Sequence, residues 1–284
     1  MPRIVSTEKL TDRIFALEVE APDIASTAGA GQIVLARFDH LGAWTPKAIS
    51  DVDRAAGTVT FLCRGAAGAF PAPGSADAAP ASSRNEPAGN AAATDVEITG
   101  PLGARKTLDK ASKVLFVAEG VGIGAIIAWL RALKEKGCYT MVIAGYPAKD
   151  GLFWIDRLDD LSDELYVVTE DGSFGIKGPL RHTLRAVCEQ IGDIDGAHAA
   201  GPLKLLKTTA EVTRNFNIPT TVSLASVLDD AESDTPQDPE TTDLAARTRA
   251  ATTAGFDWAK ALDLDAHDVD FDGLSRTLGI PLTK

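Results

Sequence analysis

The segment from Val114 to Ala125 reads Val-Leu-Phe-Val-Ala-Glu-Gly-Val-Gly-Ile-Gly-Ala, an apolar β-type run that enters a glycine-rich turn and then an amphipathic helix. That order of elements suits phosphate binding, because Gly120, Gly122 and Gly124 allow a tight turn and leave room for a phosphate at the amides of a helix N-terminus, where the macrodipole favours an anion. Glu119 sits in the same turn. A carboxylate about 5 Å from a phosphate, at an effective dielectric of about 20, repels it by about 3 kcal/mol, which offsets one or two charge-assisted hydrogen bonds. The turn therefore has the shape of a phosphate loop and an opposing charge.

Other chemistry-bearing residues are dispersed. His40, His182, His198 and His267 show no metal-ligand spacing, which leaves them structural or surface roles and no metal site. Cys63, Cys138 and Cys188 lie far apart in apolar surroundings and read as buried free thiols. Trp129 and Trp154 fall in apolar helical contexts and read as core. No nucleophile–base pair stands out, so no catalytic side chain is assigned.

The elements that must position the glycine turn belong to a chain of 284 residues, long enough for two domains, with an ordinary apolar content of 45%. A formal charge of −12 and a pI near 4.8 argue against nucleic-acid and anionic-membrane surfaces. No leader-like core and no membrane-length apolar run occur, which predicts a cytoplasmic protein. Residues 3–20 read as two strands around Thr11-Asp12, followed by strands at 31–37 and 57–63, and Asp95–Gly103 closes the unit. Short strands so spaced predict an antiparallel barrel. Of the 30 residues from Gly65 to Thr94, 23 are Ala, Gly, Pro or Ser, the composition of a flexible insert.

From Lys113 the pattern becomes strand, helix, strand: 114–117, 123–136 with Gly137 as the stop, and 138–144. A strand at 165–169 leads into Asp171-Gly172-Ser173 and a helix at 179–190; Gly201-Pro202 opens another helix, and a strand spans 220–224. Such alternation predicts a parallel sheet covered by helices on both faces. Asp229 to Asp243 holds seven acidic residues, no basic one and two prolines, and reads as a solvated linker.

The succession of Gly31-Gln32, Pro46, Ile49-Ser-Asp51, Gly100-Pro-Leu-Gly103, the glycine turn, Thr169-Glu-Asp-Gly-Ser-Phe-Gly-Ile-Lys-Gly178, Gly201-Pro202, Val222-Ser-Leu224 and His267-Asp-Val-Asp-Phe-Asp272 resembles the ferredoxin-NADP reductase superfamily. Within it, the chain is similar to the small subunit of NADH-dependent reduced ferredoxin:NADP oxidoreductase, the FAD/NAD-binding subunit of sulfide dehydrogenase and the electron-transfer subunit of dihydroorotate dehydrogenase. The resemblance implies an FAD-binding Greek-key β-barrel over residues 1–108, with the insert at 65–94. It further implies a Rossmann-like NAD(P)-binding α/β domain over 109–228, and a C-terminal extension over 229–284 in place of the family's [2Fe-2S] module. By the same resemblance, Trp44, Pro46, Lys47 and Ala48 fall on the flavin motif, and Gly120, Gly122, Gly124, Asp171, Gly172, Ser173, Gly201 and Pro202 on the nucleotide site.

Against the family's Arg-x-Pro-Leu-Thr/Ser flavin motif the chain has Trp44-Thr-Pro-Lys-Ala48, so the phosphate-binding arginine and the hydroxyl facing the flavin are both replaced. Lys47 can restore charge without a planar bidentate contact, and Trp44 can fill the flavin cleft or face a partner. In the nucleotide domain a basic residue of the family becomes Pro147, at a cost of roughly 1.5–3 kcal/mol per charge-assisted bond. The cluster cysteines become Thr235, Asp238 and Trp258, and no cysteine follows Cys188, so the thiolate ligands of a [2Fe-2S] cluster are missing. Two function classes stand side by side. One is an electron-transfer subunit that uses FAD and weakly bound NAD(P)H beside a larger flavoprotein or iron–sulfur oxidoreductase subunit; the other is a non-catalytic structural or regulatory subunit of a flavoprotein complex.

Overall fold

Strand β1 (Arg3–Lys9) turns into β2 (Ile14–Glu20) where the Thr11 hydroxyl accepts from the amides of Arg13 and Ile14 at 3.2 and 3.0 Å. This computed structural model describes residues 2–38, 44–65, 96–103, 113–227, 264–278 and 282. Most of the Ala/Pro-rich insert, His40, the acidic run with Thr235 and Asp238, and Trp258 lie outside the described residues. A short helix α1 (Pro22–Thr27) begins with proline at its first position, where the missing N–H costs nothing. Strands β3 (Ile33–Arg37), β4 (Thr45–Asp53), β5 (Thr58–Arg64) and β6 (Glu97–Leu102) complete an antiparallel sheet in the order β1-β2-β5-β4-β3-β6. Leu17, Val19, Val34, Ile49, Val59 and Phe61 alternate into its core, as a period of two requires.

The second sheet is seven-stranded, in the order β10-β9-β8-β7-β11-β12-β13. It comprises β7 (Lys113–Glu119), β8 (Tyr139–Tyr146), β9 (Glu164–Thr169), β10 (Ile176–Lys177), β11 (Gly196–Ala200), β12 (Thr220–Ser223) and β13 (Leu264–Asp265). All its pairings are parallel except that of β12 with β13. Helices α2 (Gly122–Glu135) and α3 (Ile155–Leu161) lie on one face, and α4 (Leu180–Ile191) and α5 (Leu203–Asn215) on the other. Strand order reverses between β7 and β11, which makes the carboxyl ends of those strands the topological switch point.

Apolar alternation along β7 fixes the two faces. Leu115 and Val117 join the core under α4 and α5, whereas Val114, Phe116 and Ala118 join the core under α2. That second core also contains Ile14, Ala16 and Leu62 of the barrel, so α2 is buried between the two sheets. The tail from Leu264, which the sequence sets apart in the extension, is built into the α/β sheet: Ala266 N–H donates to Thr220 at 2.8 Å, Phe271 enters the core, and Lys207 pairs with Asp272 at 2.8 Å. Its helix α6 (Phe271–Leu278) packs on α5.

Candidate functional site

The glycine turn connects β7 to α2 as the sequence predicts, but the space its glycines provide is taken by protein. A methyl group on Gly122 would lie 2.2 Å from the Ala200 carbonyl oxygen, and one on Gly124 would lie 2.6 Å from Ser50 Oγ and 2.7 Å from Leu62 Cγ. Gly122 thus lets the start of α2 approach the end of β11, and Gly124 lets α2 approach the barrel. The space in the Cβ direction of these two glycines is taken by protein. Two amides of the first turn are also engaged locally, Ile123 N–H on Gly120 O at 3.1 Å and Gly124 N–H on Val121 O at 3.0 Å, which weakens the helix N-terminus as an anion site. At Gly120, with φ of 56°, a methyl group would meet an Arg64 guanidinium nitrogen at 2.7 Å. Arg64 is a basic residue of the site that the motif reading missed. Its only signal in the sequence is a charge at the very end of an apolar strand.

Barrel strands supply the facing wall. Pro46 and Ala48 lie opposite Leu35 and Ile33 in β4, and Pro46, Lys47, Ala48, Leu62, Val121, Ala225 and Ser226 line a cavity of about 10 Å³. This is about the room of one water. Lys47 is only 4% exposed and shares the strand parity of Ile49, a residue of the barrel core. Such placement does not present its charge to a phosphate in solvent. Trp44 is not among the cavity-lining residues; the Arg37 guanidinium lies 4.7 Å from its ring centre while pairing with Glu97 at 2.5 Å.

Further contacts close the seam. Trp129 of α2 fills the space above Gly31, where a methyl group would meet its ring at 2.6 Å, and Ile33 packs with Ala225. Gln32 joins the ends of β3 and β6 by donating to Gly103 O at 2.7 Å and accepting from Gly29 N–H at 2.9 Å. Asp51, on β4, accepts from Arg131 of α2 at 3.0 Å and also from Arg157 of α3, whose guanidinium stacks on Trp154 at 4.7 Å. This two-arginine grip on one carboxylate spans 106 positions of sequence, and no local motif announces it.

Glu119 continues the Leu115–Val117 face of β7, so its side chain lies on the side of the sheet away from α2. A methyl group on Gly145 would touch Glu119 Cγ at 2.6 Å and Oε1 at 2.7 Å, with Leu180 of α4 beside it. The charge expected within the glycine turn is therefore found against Gly145 at the adjoining carboxyl ends of β7 and β8, beside the switch point between β7 and β11. Gly201 closes the other flank: a methyl group there would meet the Glu119 backbone at 3.2 Å. Pro202 leads α5, and Ser226 Oγ donates to Gly201 O at 3.1 Å.

Thr169 organises the adjoining loop. Its hydroxyl contacts Phe174 O at 2.5 Å and Phe174 N–H at 3.2 Å, while its carbonyl accepts from Gly172 and Gly178 at 3.2 and 3.0 Å. Asp171 accepts from the amide and hydroxyl of Ser173, bonds that hold its carboxyl below the usual range, and the Ser173 hydroxyl accepts from Lys149 N–H at 2.7 Å. Asp171, Gly172 and Ser173 are exposed at the same carboxyl edge of the sheet as Glu119.

The remaining sequence candidates sit apart. His198 is buried, with Nδ1 2.8 Å from the Thr221 hydroxyl and its ring near Phe116 and Trp129. Trp129 is buried and Trp154 half-buried. Cys63 and Cys188 are buried, and burial pushes the Cys188 thiol up to about 11; Cys138 is half-buried. Among the described residues no group of three or more His, Cys, Asp or Glu could hold a metal ion, and no helix is long and apolar enough to cross a membrane.

No protein-family profile matches the chain. It is 32% identical over 238 residues to an uncharacterized protein in the adh 3' region of Clostridium beijerinckii, covering 81% of this chain and 76% of that one. It is 26% identical to a dihydroorotate dehydrogenase B (NAD(+)) electron transfer subunit homolog of Thermotoga maritima, covering 80% and 75%. Among solved structures, a chain of an NADH-dependent reduced ferredoxin-NADP oxidoreductase superposes with a TM-score of 0.71 at 22% identity, over 98% of this chain and 93% of that chain. A six-stranded antiparallel sheet joined to a switch-point α/β sheet is the fold that this chain shares with ferredoxin-NADP reductase-type structures, and together with the relatives named as electron transfer subunits it matches the ferredoxin-NADP reductase superfamily.

Proposed function

We propose that the chain works as a ferredoxin-NADP reductase-like electron-transfer subunit of a heteromeric oxidoreductase, beside a larger flavoprotein or iron–sulfur subunit. The observation that carries this reading is the two-domain frame, shared over 93% of a chain of an NADH-dependent reduced ferredoxin-NADP oxidoreductase, beside a relative named as an electron transfer subunit homolog. A nicotinamide nucleotide suits the switch-point crevice bounded by Glu119, Gly145 and Gly201, with the Asp171–Ser173 loop at its rim. There Glu119 opposes a pyrophosphate, and Pro147 at the end of β8 supplies no donor, so binding by the chain alone is weak. No [2Fe-2S] cluster of the family kind is expected, since Thr235, Asp238 and Trp258 replace its thiolates.

The second reading, a non-catalytic structural or regulatory subunit, is favoured by one specific observation, the 10 Å³ left between Ala48 and Val121. Both readings require a partner. Capture of the tagged chain from its native cells at low salt should recover a larger oxidoreductase subunit in near-equal amount, and only a free monomer would argue against both. Iron and acid-labile sulfide in the captured complex, assigned by separating its subunits, should reside in the partner.

A further inference from the structure

We infer that α2 itself occupies the space between the barrel and the α/β sheet where a flavin ring would have to lie, so that the chain holds no isoalloxazine of its own. Pockets for ligands of that size run from about 300 to 1,000 Å³. Among the described residues, the cavity lined by Pro46, Lys47, Ala48, Leu62, Val121, Ala225 and Ser226 has about 10 Å³.

Close approach of α2 to the barrel sets the contact. Gly124 brings the axis of α2 against Ser50 and Leu62, and Gly31 admits the Trp129 ring, so both ends of the contact are set by missing Cβ atoms. Arg131 and Arg157 then hold Asp51 from the α/β side. Ile14, Ala16 and Leu62 share one apolar cluster with Ile123, Ile126 and Trp129, so parting the two units would expose that core to water. The chemistry of the facing strand agrees with this. Ala48 presents a methyl group, Pro46 has no N–H, and Lys47 is turned into the barrel. Neither Pro46 nor Ala48 offers a side-chain donor to the ring nitrogens or carbonyls of a flavin.

The test uses the full chain, purified and also refolded in excess FAD, with a cooperative melt confirming that it is folded. Retained flavin is measured from its visible absorption and fluorescence, and hydrogen exchange across residues 122–127 is followed with and without FAD. The expected result is no retained flavin, a dissociation constant weaker than roughly 100 µM, about a hundredfold short of a micromolar site, and slow exchange that FAD leaves unchanged. Near-stoichiometric FAD with a shifted visible band, or FAD-dependent exchange at residues 122–127, would overturn the inference. Partner capture is read independently: a colourless chain that still recovers its partner supports this inference together with the non-catalytic reading, since a chain with neither flavin nor cluster has no group to carry electrons, whereas a yellow chain refutes the inference and leaves the electron-transfer reading standing.

Discussion

The barrel–α2 seam and the carboxyl edge of the α/β sheet both use glycine for close approach, and they put it to different ends. At the seam, the positions left open by Gly31 and Gly124 are filled by an indole and by two barrel side chains, and at the start of α2 the position left open by Gly122 is filled by the Ala200 carbonyl of β11. At the sheet edge, Gly175 turns with φ of 64°, and the loop it shapes leaves Asp171, Gly172 and Ser173 exposed beside a crevice that holds Glu119. Glycine thus reports that something approaches closely. What approaches is decided by the surface opposite, apolar and interlocked in the first case and polar and open in the second.

The sharpest way to break this contrast is at the two ends of α2. Gly122→Ala forces a methyl group to 2.2 Å from a backbone oxygen, while Gly137→Ala, at φ of 72°, meets nothing within 4 Å. We expect the first to cost about 3 kcal/mol or more through overpacking, and the second about 1–2 kcal/mol from the left-handed backbone alone. Thermal unfolding of both variants measures the difference. Equal losses would mean that the turn is not locked against β11.

At the open edge the expected effect is on binding. Glu119→Gly combined with Pro147→Arg removes a carboxylate from the Gly145 crevice and adds a donor two residues along the same strand end. Calorimetric titration with NADH and NADPH should show at least a tenfold gain in affinity, about 1.4 kcal/mol. An unchanged constant would show that shape, not charge, limits the crevice.

How much of this was legible beforehand follows the range of the interactions. The strands at 31–37 and 57–63, the glycine turn and the helix stop at Gly137 are local patterns, and each is found within a few residues of its expected place. Helix α3 and strand β11 were not read. The first is Asp-rich and starts after Trp154 in a left-handed conformation, and the second is Gly-Ala-His-Ala-Ala, whose small residues carry little β signal. The side of the sheet on which Glu119 lies depends on strand parity, which becomes meaningful only once both helical faces are known. Arg64 on Gly120 and Asp51 between two arginines are contacts across the domain seam, beyond the reach of any periodic pattern.

A smaller effect is expected from that grip. Asp51 and Arg157 are each about 30% exposed and Arg131 about half, so solvent screening limits the gain of each pair to about 1 kcal/mol or less. Asp51→Asn should lower stability by about 1 kcal/mol at low salt and by less at high salt, where screening has already weakened the pairs. A loss that persists unchanged in molar salt would assign Asp51 a role in packing instead.

The least effect, and the one that discriminates best, concerns Ser50. Its hydroxyl is buried against Gly124 with no hydrogen-bond partner among the described residues. A buried hydroxyl without a partner costs about 1–3 kcal/mol of desolvation, and removing it from a dry, closed seam should recover part of that. Ser50→Ala is therefore expected to stabilise the chain by about 1 kcal/mol, raising its midpoint by about 2–4 °C for a domain of about 150–250 residues. The usual outcome of truncating a buried polar residue is the reverse, so the sign is informative. If the seam instead opens to a ligand that takes the hydroxyl's proton, or to a bridging water, the alanine variant loses a bond and its midpoint falls. A lowered midpoint together with a loss of flavin retention would move the seam into the same class as the open edge of the sheet, and the contrast between the two regions would no longer hold.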